Sequence, residues 1–292
     1  MSFDDGITSE VNASIKSEIS PDSDFVTTKF IAIIPKLLSS SDTSSKAVFD
    51  DDGDLVRDSN EEEIEFVIKH KLSTDLNGVG YQVWRGALLM SDYIIANIEN
   101  DFKKKSAVGH WKNVLEIGAG TGLASIALSR FCSDNSIFTT DLPELVDLLK
   151  ENLHSNNSKN VEVFPLDLKD FTKDNKVFRE IDIVIGADVI YDNDVTDGVI
   201  NFLQRLLDDA TKDTLEFIFT IDKRYIFTID DMETVAPSYE YFMSQLTDLD
   251  PAEAWNIKCE EIPADQIHQT FCYERSPDLC LILINSTKKS TL

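Results

Sequence analysis

Gly118, Gly120 and Gly122 stand at alternate positions in "NVLEIGAGTGLASIALS", between an apolar run and an amphipathic one. Strand, glycine loop and helix in that order make a ligand cradle, because the chain must turn sharply and let a bound group touch backbone. Two nucleotide chemistries compete for such a loop. The dinucleotide fingerprint needs G-x-G-x-x-G so that a pyrophosphate lies on the helix N-terminus, and here the third glycine of "GAGTG" comes one residue early. Glu116 precedes the loop by one position. An acid there repels a pyrophosphate but can receive the cationic amino-acid end of S-adenosylmethionine, directly or through water. Asp141 ends the second strand, where a carboxylate can accept both ribose hydroxyls, and Asp167 ends the third, near where an adenine amino group would be read. Three acids at successive strand ends suit a sugar, a base and a sulfonium, and do not suit a phosphate ligand.

The elements that must position these residues alternate along the chain. "NVLEIGA", "SIFTTD", "VEVFPLD", "IDIVIGAD" and "LEFIFTI" read as near-continuous apolar strands, separated by amphipathic helices such as "PELVDLLKENLHS" and "VTDGVINFLQRLLDDA". That pattern predicts an α/β, Rossmann-like, mostly parallel sheet with helices on both faces. A helical region around "MSQL" follows, then "AWNIKCEEI" and "LCLILI" as two final strands at the sheet edge. Ahead of the sheet, "GYQVWRGALLMSDYIIANI" repeats apolar residues at helical spacing.

The front of the chain has a different character. Residues 1–24 are polar and acidic and read as a disordered tail. "DFVTTKFIAIIP" and "IEFVIKHKL" read as strands flanking an acidic loop, a possible hairpin and N-terminal β extension. Residues 1–65 hold 16 acidic against 5 basic side chains, −11 of the net −26, and look like an appendage. The expected organisation is a tail at 1–24, a strand pair at 25–80, the α/β domain at 81–286 and a polar tail at 287–292.

Composition excludes several classes. At 292 residues and 42% hydrophobic content the chain can bury a sizeable core. A charge of −26 repels nucleic acid and anionic lipid and attracts basic polypeptides, although acidity can equally serve solubility alone. The four cysteines show no paired spacing, which fits a reducing compartment, cytoplasm or nucleus. The start lacks a basic then apolar leader, and nowhere do about 18 apolar residues run together, so no membrane association is expected. The four histidines are scattered, and no metal site is expected.

"VLEIGAGTGLASIAL" with "TDLPELVDLLKENL" resembles the class I, seven-strand S-adenosylmethionine-dependent methyltransferases. "VWRGA" at 83–87 and "DVIY" at 188–191 are similar to the methyltransferase-like protein-lysine methyltransferases, and "YQVWRGALLMSDYI" with "CYERSPDLCLILI" to their methyltransferase-like 22 branch. The resemblance spans residues 60–286 and implies transfer of a methyl group to a protein lysine. It implies that Glu116, Gly118, Ala119, Gly120 and Gly122 cradle the methionine portion of S-adenosylmethionine, and that Asp141 with Leu142 takes the ribose. Asp167 and Leu168 fall on the adenine side, Ala187 and Trp84 pack near the cofactor, and Asp188 and Tyr191 face the methyl acceptor. Trp84 also reads as an ordinary core tryptophan, and Asp188 as a helix cap for a segment starting near Asp192 or Asp194. The implied partner is a basic protein, either nucleic-acid-associated or a translation factor, with the enzyme acting as a monomer. Methylation of another protein nucleophile or a small-molecule amine leaves the cofactor half identical, and an adaptor that binds cofactor without turnover is the alternative outside enzymes.

Overall fold

The computed structural model describes residues 7–11, 18–19, 24–35, 61–104, 111–171, 176–228, 232–250 and 252–289. The acidic loop at 36–60, most of the expected tail at 1–24 and the last residues, 290–292, lie outside the described residues. The two front strands do pair: β2 (Phe25–Pro35) runs antiparallel to β3 (Glu61–Lys71), from Phe25 opposite Lys71 to Pro35 opposite Glu61, and β1 (Glu18–Ile19) adds to the other edge of β2. Alternation along β2 and β3 sends Phe30, Ile34, Ile64, Phe66 and Ile68 to one buried face.

The apolar runs become β4 (Asn113–Ile117), β5 (Ser136–Asp141), β6 (Val161–Pro165), β7 (Ile183–Ala187) and β8 (Thr214–Asp222), all parallel. After β8 come a short hairpin, β9 (Ile226–Thr228) with β10 (Glu233–Val235), and then β11 (Trp255–Pro263) and β12 (Leu279–Lys288). The main sheet has the order β11-β12-β8-β7-β4-β5-β6. Of the two final strands only β11 is an edge; β12 lies between β11 and β8, antiparallel to both. Its unbroken "LCLILI" is the run that burial on both faces demands.

Helices α1 (Arg85–Lys104), α2 (Leu123–Phe131), α3 (Val146–Ser155), α4 (Asn193–Asp209) and α5 (Pro237–Leu246) cover the sheet. Phe202 and Leu206 of α4 and Phe242 of α5 pack with Val184, Phe217 and Phe219 on one face. Leu89 and Met90 of α1 and Leu128 of α2 pack with Ile183, Ile185 and Ile218 on the other. The front hairpin is no appendage: Phe30, Ile34, Ile64, Phe66 and Ile68 share one core with Leu88 of α1, Leu123 and Ile126 of α2, and Leu149 and Leu153 of α3. Among the described residues no helix is long and apolar enough to cross a membrane.

Candidate active site

The chain leaves β4 toward α2 and β5 on one side, while its neighbour β7 leads to α4 and β8 on the other. The strand order diverges at the carboxyl ends of β4 and β7, the usual ligand position in such sheets. Gly118, Gly120 and Gly122 line its β4 side with φ of 60°, 54° and 83°. Gly120 must be glycine for a second reason: a Cβ there would lie 2.9 Å from the carbonyl oxygen of Gly80. A 3₁₀ turn, Leu76–Tyr81, thus crosses directly over the loop.

Asp141, at the end of β5, fixes that loop. Its Oδ2 accepts from the Gly120 N–H (2.6 Å) and its Oδ1 from the Leu142 N–H (2.7 Å). Ala119 completes the turn by donating its N–H to the Thr140 carbonyl (3.0 Å). Asp141 is 7% exposed, and no lysine or arginine among the described residues pairs with it. Burial pushes its pKa up to about 6, against the two backbone hydrogen bonds that hold it down. A carboxylate with lone pairs to spare and no cation, beside a loop that excludes Cβ atoms, fits a ligand carrying a diol and no phosphate.

Glu116 is placed differently from the expectation of contact with the cofactor. It is 1% exposed, and its Oε2 accepts from the Ser125 hydroxyl on α2 and from the Thr139 hydroxyl on β5 (3.1 Å). It therefore braces the cradle from beneath. Burial pushes its pKa up to about 7, opposed by those hydroxyls and reinforced by the nearby charge of Asp141.

On the β7 side, Asp188 sits in the left-handed region at φ 54°, a conformation that needs support from its surroundings. The support is non-local. Its Oδ2 accepts from the Gly86 N–H at the start of α1 (2.8 Å), its Oδ1 from the Asp222 N–H (3.3 Å), and its own N–H donates to the Thr220 carbonyl (2.9 Å). A Cβ on Gly86 would stand 2.6 Å from that Oδ2, which explains the glycine of "VWRGA". Asp188 does cap a helix, but that helix is α1. Asp192 caps α4 itself, accepting from the Asp194 and Val195 N–H groups. Burial raises the Asp188 pKa above the ordinary carboxylate range, with Arg224 acting against it.

Tyr191 is 36% exposed, with its pKa raised by burial and then by Asp141 and Asp192. Trp84 is half-buried in the wall of the site: its indole N–H donates to the Val79 carbonyl (2.8 Å), and the Arg224 guanidinium lies 5.0 Å from its ring centre. Arg85 pairs with Asp222 at 3.6 Å. Ala187 ends β7 beside Asp188. Asp167 and Leu168 follow β6 in a turn where Asp167 is exposed and accepts from the Lys169 N–H (2.9 Å). The sequence reading did not find the covering turn Leu76–Tyr81, whose signal is the close pair Gly78 and Gly80, nor Arg224 against Trp84. Among the described residues no group of three or more His, Cys, Asp or Glu could hold a metal ion.

This strand order, with a glycine loop after the first parallel strand and an acid ending the second, defines a class I seven-strand S-adenosylmethionine-dependent methyltransferase. The family model described as lysine methyltransferase matches residues 61–246, and the chain belongs to that family. It is 32% identical over 232 residues to methyltransferase-like protein 22 of Homo sapiens, covering 73% of this chain and 55% of that protein. With methyltransferase-like protein 22 of Mus musculus it is 29% identical over 230 residues, 71% of this chain and 56% of that protein. With EEF1A lysine methyltransferase 3 of Xenopus tropicalis it is 28% identical over 180 residues, 62% and 74% of the two chains. The chain thus spans little more than half the length of the two methyltransferase-like 22 relatives.

Proposed function

We propose that the protein transfers methyl groups from S-adenosylmethionine to a lysine side chain of another protein. The observation that carries this reading is the buried, cation-free carboxylate of Asp141 held against the Gly118–Gly122 loop. When bound, S-adenosylmethionine supplies a methyl group on a sulfonium whose thioether departs neutral. In this reading the Gly118–Gly122 loop, with Ala119, holds the methionine end, braced by Glu116. Asp141 and Leu142 take the ribose, Asp167 and Leu168 flank the adenine, and Trp84 and Ala187 wall the pocket.

The residues must then align the nucleophile, since proximity is the main lever in such a transfer. A lysine amine has a pKa near 10.4 and arrives mostly protonated, so it must shed a proton, to water or to a nearby carboxylate, before the neutral amine attacks the methyl carbon. Each oxygen of Asp188 takes one backbone N–H and keeps a lone pair to accept from the incoming ammonium. Tyr191 offers a ring face and a hydroxyl beside it. Membership in the lysine methyltransferase family supports lysine as the acceptor, and the likeness to a lysine methyltransferase of EEF1A supports a translation factor as one class of client. The free cysteines, two of them exposed, suit action in the cytoplasm or nucleus.

The test is methyl transfer from labelled S-adenosylmethionine into an extract of cells lacking this protein, with Asp141→Ala as control and mass spectrometry of the labelled bands. The expected result is a discrete protein carrying methyl-lysine only with the intact chain. Label in small molecules alone, or none despite direct cofactor binding, would refute the reading.

A further inference from the structure

Residues 7–11 fall in the stretch whose composition reads as a tail, yet Ser9 and Val11 are only 1 and 3% exposed. They form a strap that holds both flanks of the covering turn Leu76–Tyr81. Ahead of the turn, Ile7 makes an antiparallel bridge with Thr74, each N–H donating to the other's carbonyl (2.7 and 3.0 Å). Behind it, the buried Gln82 side chain accepts from the Ser9 N–H (2.7 Å) and donates to the Ile7 carbonyl (2.9 Å) and the Thr74 hydroxyl (2.7 Å). The Ser9 hydroxyl donates to the Val83 carbonyl, and Val11 packs in one core with Val83 and Leu88. The turn between these anchors has no buried residue, although the Trp84 indole reaches its Val79 carbonyl and the Tyr81 hydroxyl donates to the Glu144 carbonyl (3.2 Å). A segment that buries so little is easily displaced, so its position depends on how its ends are held. That position matters to the site, because the Gly80 carbonyl lies against Gly120 of the glycine loop, closely enough to exclude a Cβ.

We propose that residues 7–11 are a strap that fixes the covering turn over the S-adenosylmethionine cradle, with Ser9 and Gln82 as positioning residues for cofactor binding. This rests on the reading of the glycine loop as that cradle. With the strap docked, the turn already stands over the loop when cofactor arrives. With the strap released, the turn leaves that place for part of the time, and affinity falls in proportion to the fraction still in place.

The experiment measures S-adenosylmethionine binding by calorimetry in the full chain and in two variants that release the strap from opposite sides. Ser9→Asp forces a charge into a buried position facing a carbonyl. Gln82→Met keeps an unbranched side chain and removes its hydrogen bonds to residues 7, 9 and 74. The dissociation constant is expected to rise about tenfold in each, the effect of leaving the turn in place about a tenth of the time. The KM for S-adenosylmethionine in the extract-labelling assay should rise with it, and label should recover at high S-adenosylmethionine because the acceptor residues are unchanged. Ser9→Ala, the smallest change, should move affinity the same way by about threefold and decides the matter if either larger substitution prevents folding. A merely structural strap would lower the thermal midpoint in these variants and leave the affinity of the folded protein at the wild-type value, and that result would overturn the proposal. An intact chain that binds S-adenosylmethionine no better than Asp141→Ala would instead bring down the reading of the cradle, and the strap's role with it.

Discussion

Glu116→Gln isolates one buried ionisation beneath the glycine loop. The side chain is 1% exposed and held by Ser125 and Thr139, and Gln keeps an oxygen to accept from both. In the unfolded chain the carboxyl ionises at its ordinary value of 4.5, whereas burial in the fold holds its proton up to about pH 7. Between those values the folded state binds more protons, so stability falls as pH rises through the window, and the full cost is present above it. The gap corresponds to about 3 kcal/mol, of which about 2 kcal/mol falls between about pH 5.5 and pH 8. Urea unfolding of both proteins at those two pH values should show the wild type losing about 2 kcal/mol more than Glu116→Gln over the interval. Comparing slopes cancels any pH-independent effect of the substitution. Parallel pH dependences in the two proteins would mean that Glu116 is not buried as an isolated carboxyl, and the bracing role assigned to it would fall.

Asp141→Ala removes a hydrogen-bonded carboxylate and orphans the Gly120 and Leu142 N–H groups, so S-adenosylmethionine affinity measured by calorimetry should fall about tenfold to a hundredfold. Gly86→Ala places a Cβ 2.6 Å from the Asp188 carboxylate and 3.0 Å from the Thr220 hydroxyl. It should destabilise the fold by about 1–3 kcal/mol in urea titrations and lower methyl transfer more than cofactor binding. Asp92 is fully buried and accepts from the Thr270 and Phe271 N–H groups, the Tyr273 hydroxyl and Arg275. Asp92→Ala leaves Arg275 without its carboxylate and should cost about 3–5 kcal/mol of unfolding free energy.

Periodicity marked the parallel strands and most helices, because a strand buried on both faces and a helix buried on one leave different apolar spacings. It also marked the cradle, since glycine spacing after a strand is a local signal. What it left out is non-local. "LCLILI" reveals a buried strand but not that β12 slips between β8 and β11, because sheet order is set by how connections pack. Asp188 could be suspected of capping a nearby helix, yet its partner is Gly86, 102 residues earlier. Glu116 sits next to the loop in sequence, and only the pleat decides that it points beneath it toward Ser125 and Thr139. The β9–β10 pair gives no strand signal in the sequence because its strands are three residues each, too short for a period to register.

The front section shows how charge can mislead about architecture. Its acids suggested an appendage, and in β3 Glu61, Glu63 and Glu65 do face solvent. The alternate residues carry the opposite message: Ile64, Phe66 and Ile68 are 6% exposed or less and pack on α1, α2 and α3. The hairpin is also bound by polar contacts, Asn152 of α3 and Asn156, which follows its last residue, each exchanging hydrogen bonds with the backbone of β3, at Lys69 and Val67 respectively. Since α2 begins at the last glycine of the loop and α3 follows Asp141, this layer presses on the two helices whose starts shape the cradle. A boundary drawn near residue 80 would therefore cut through the core that holds the site, with the acidic composition marking only its outer face.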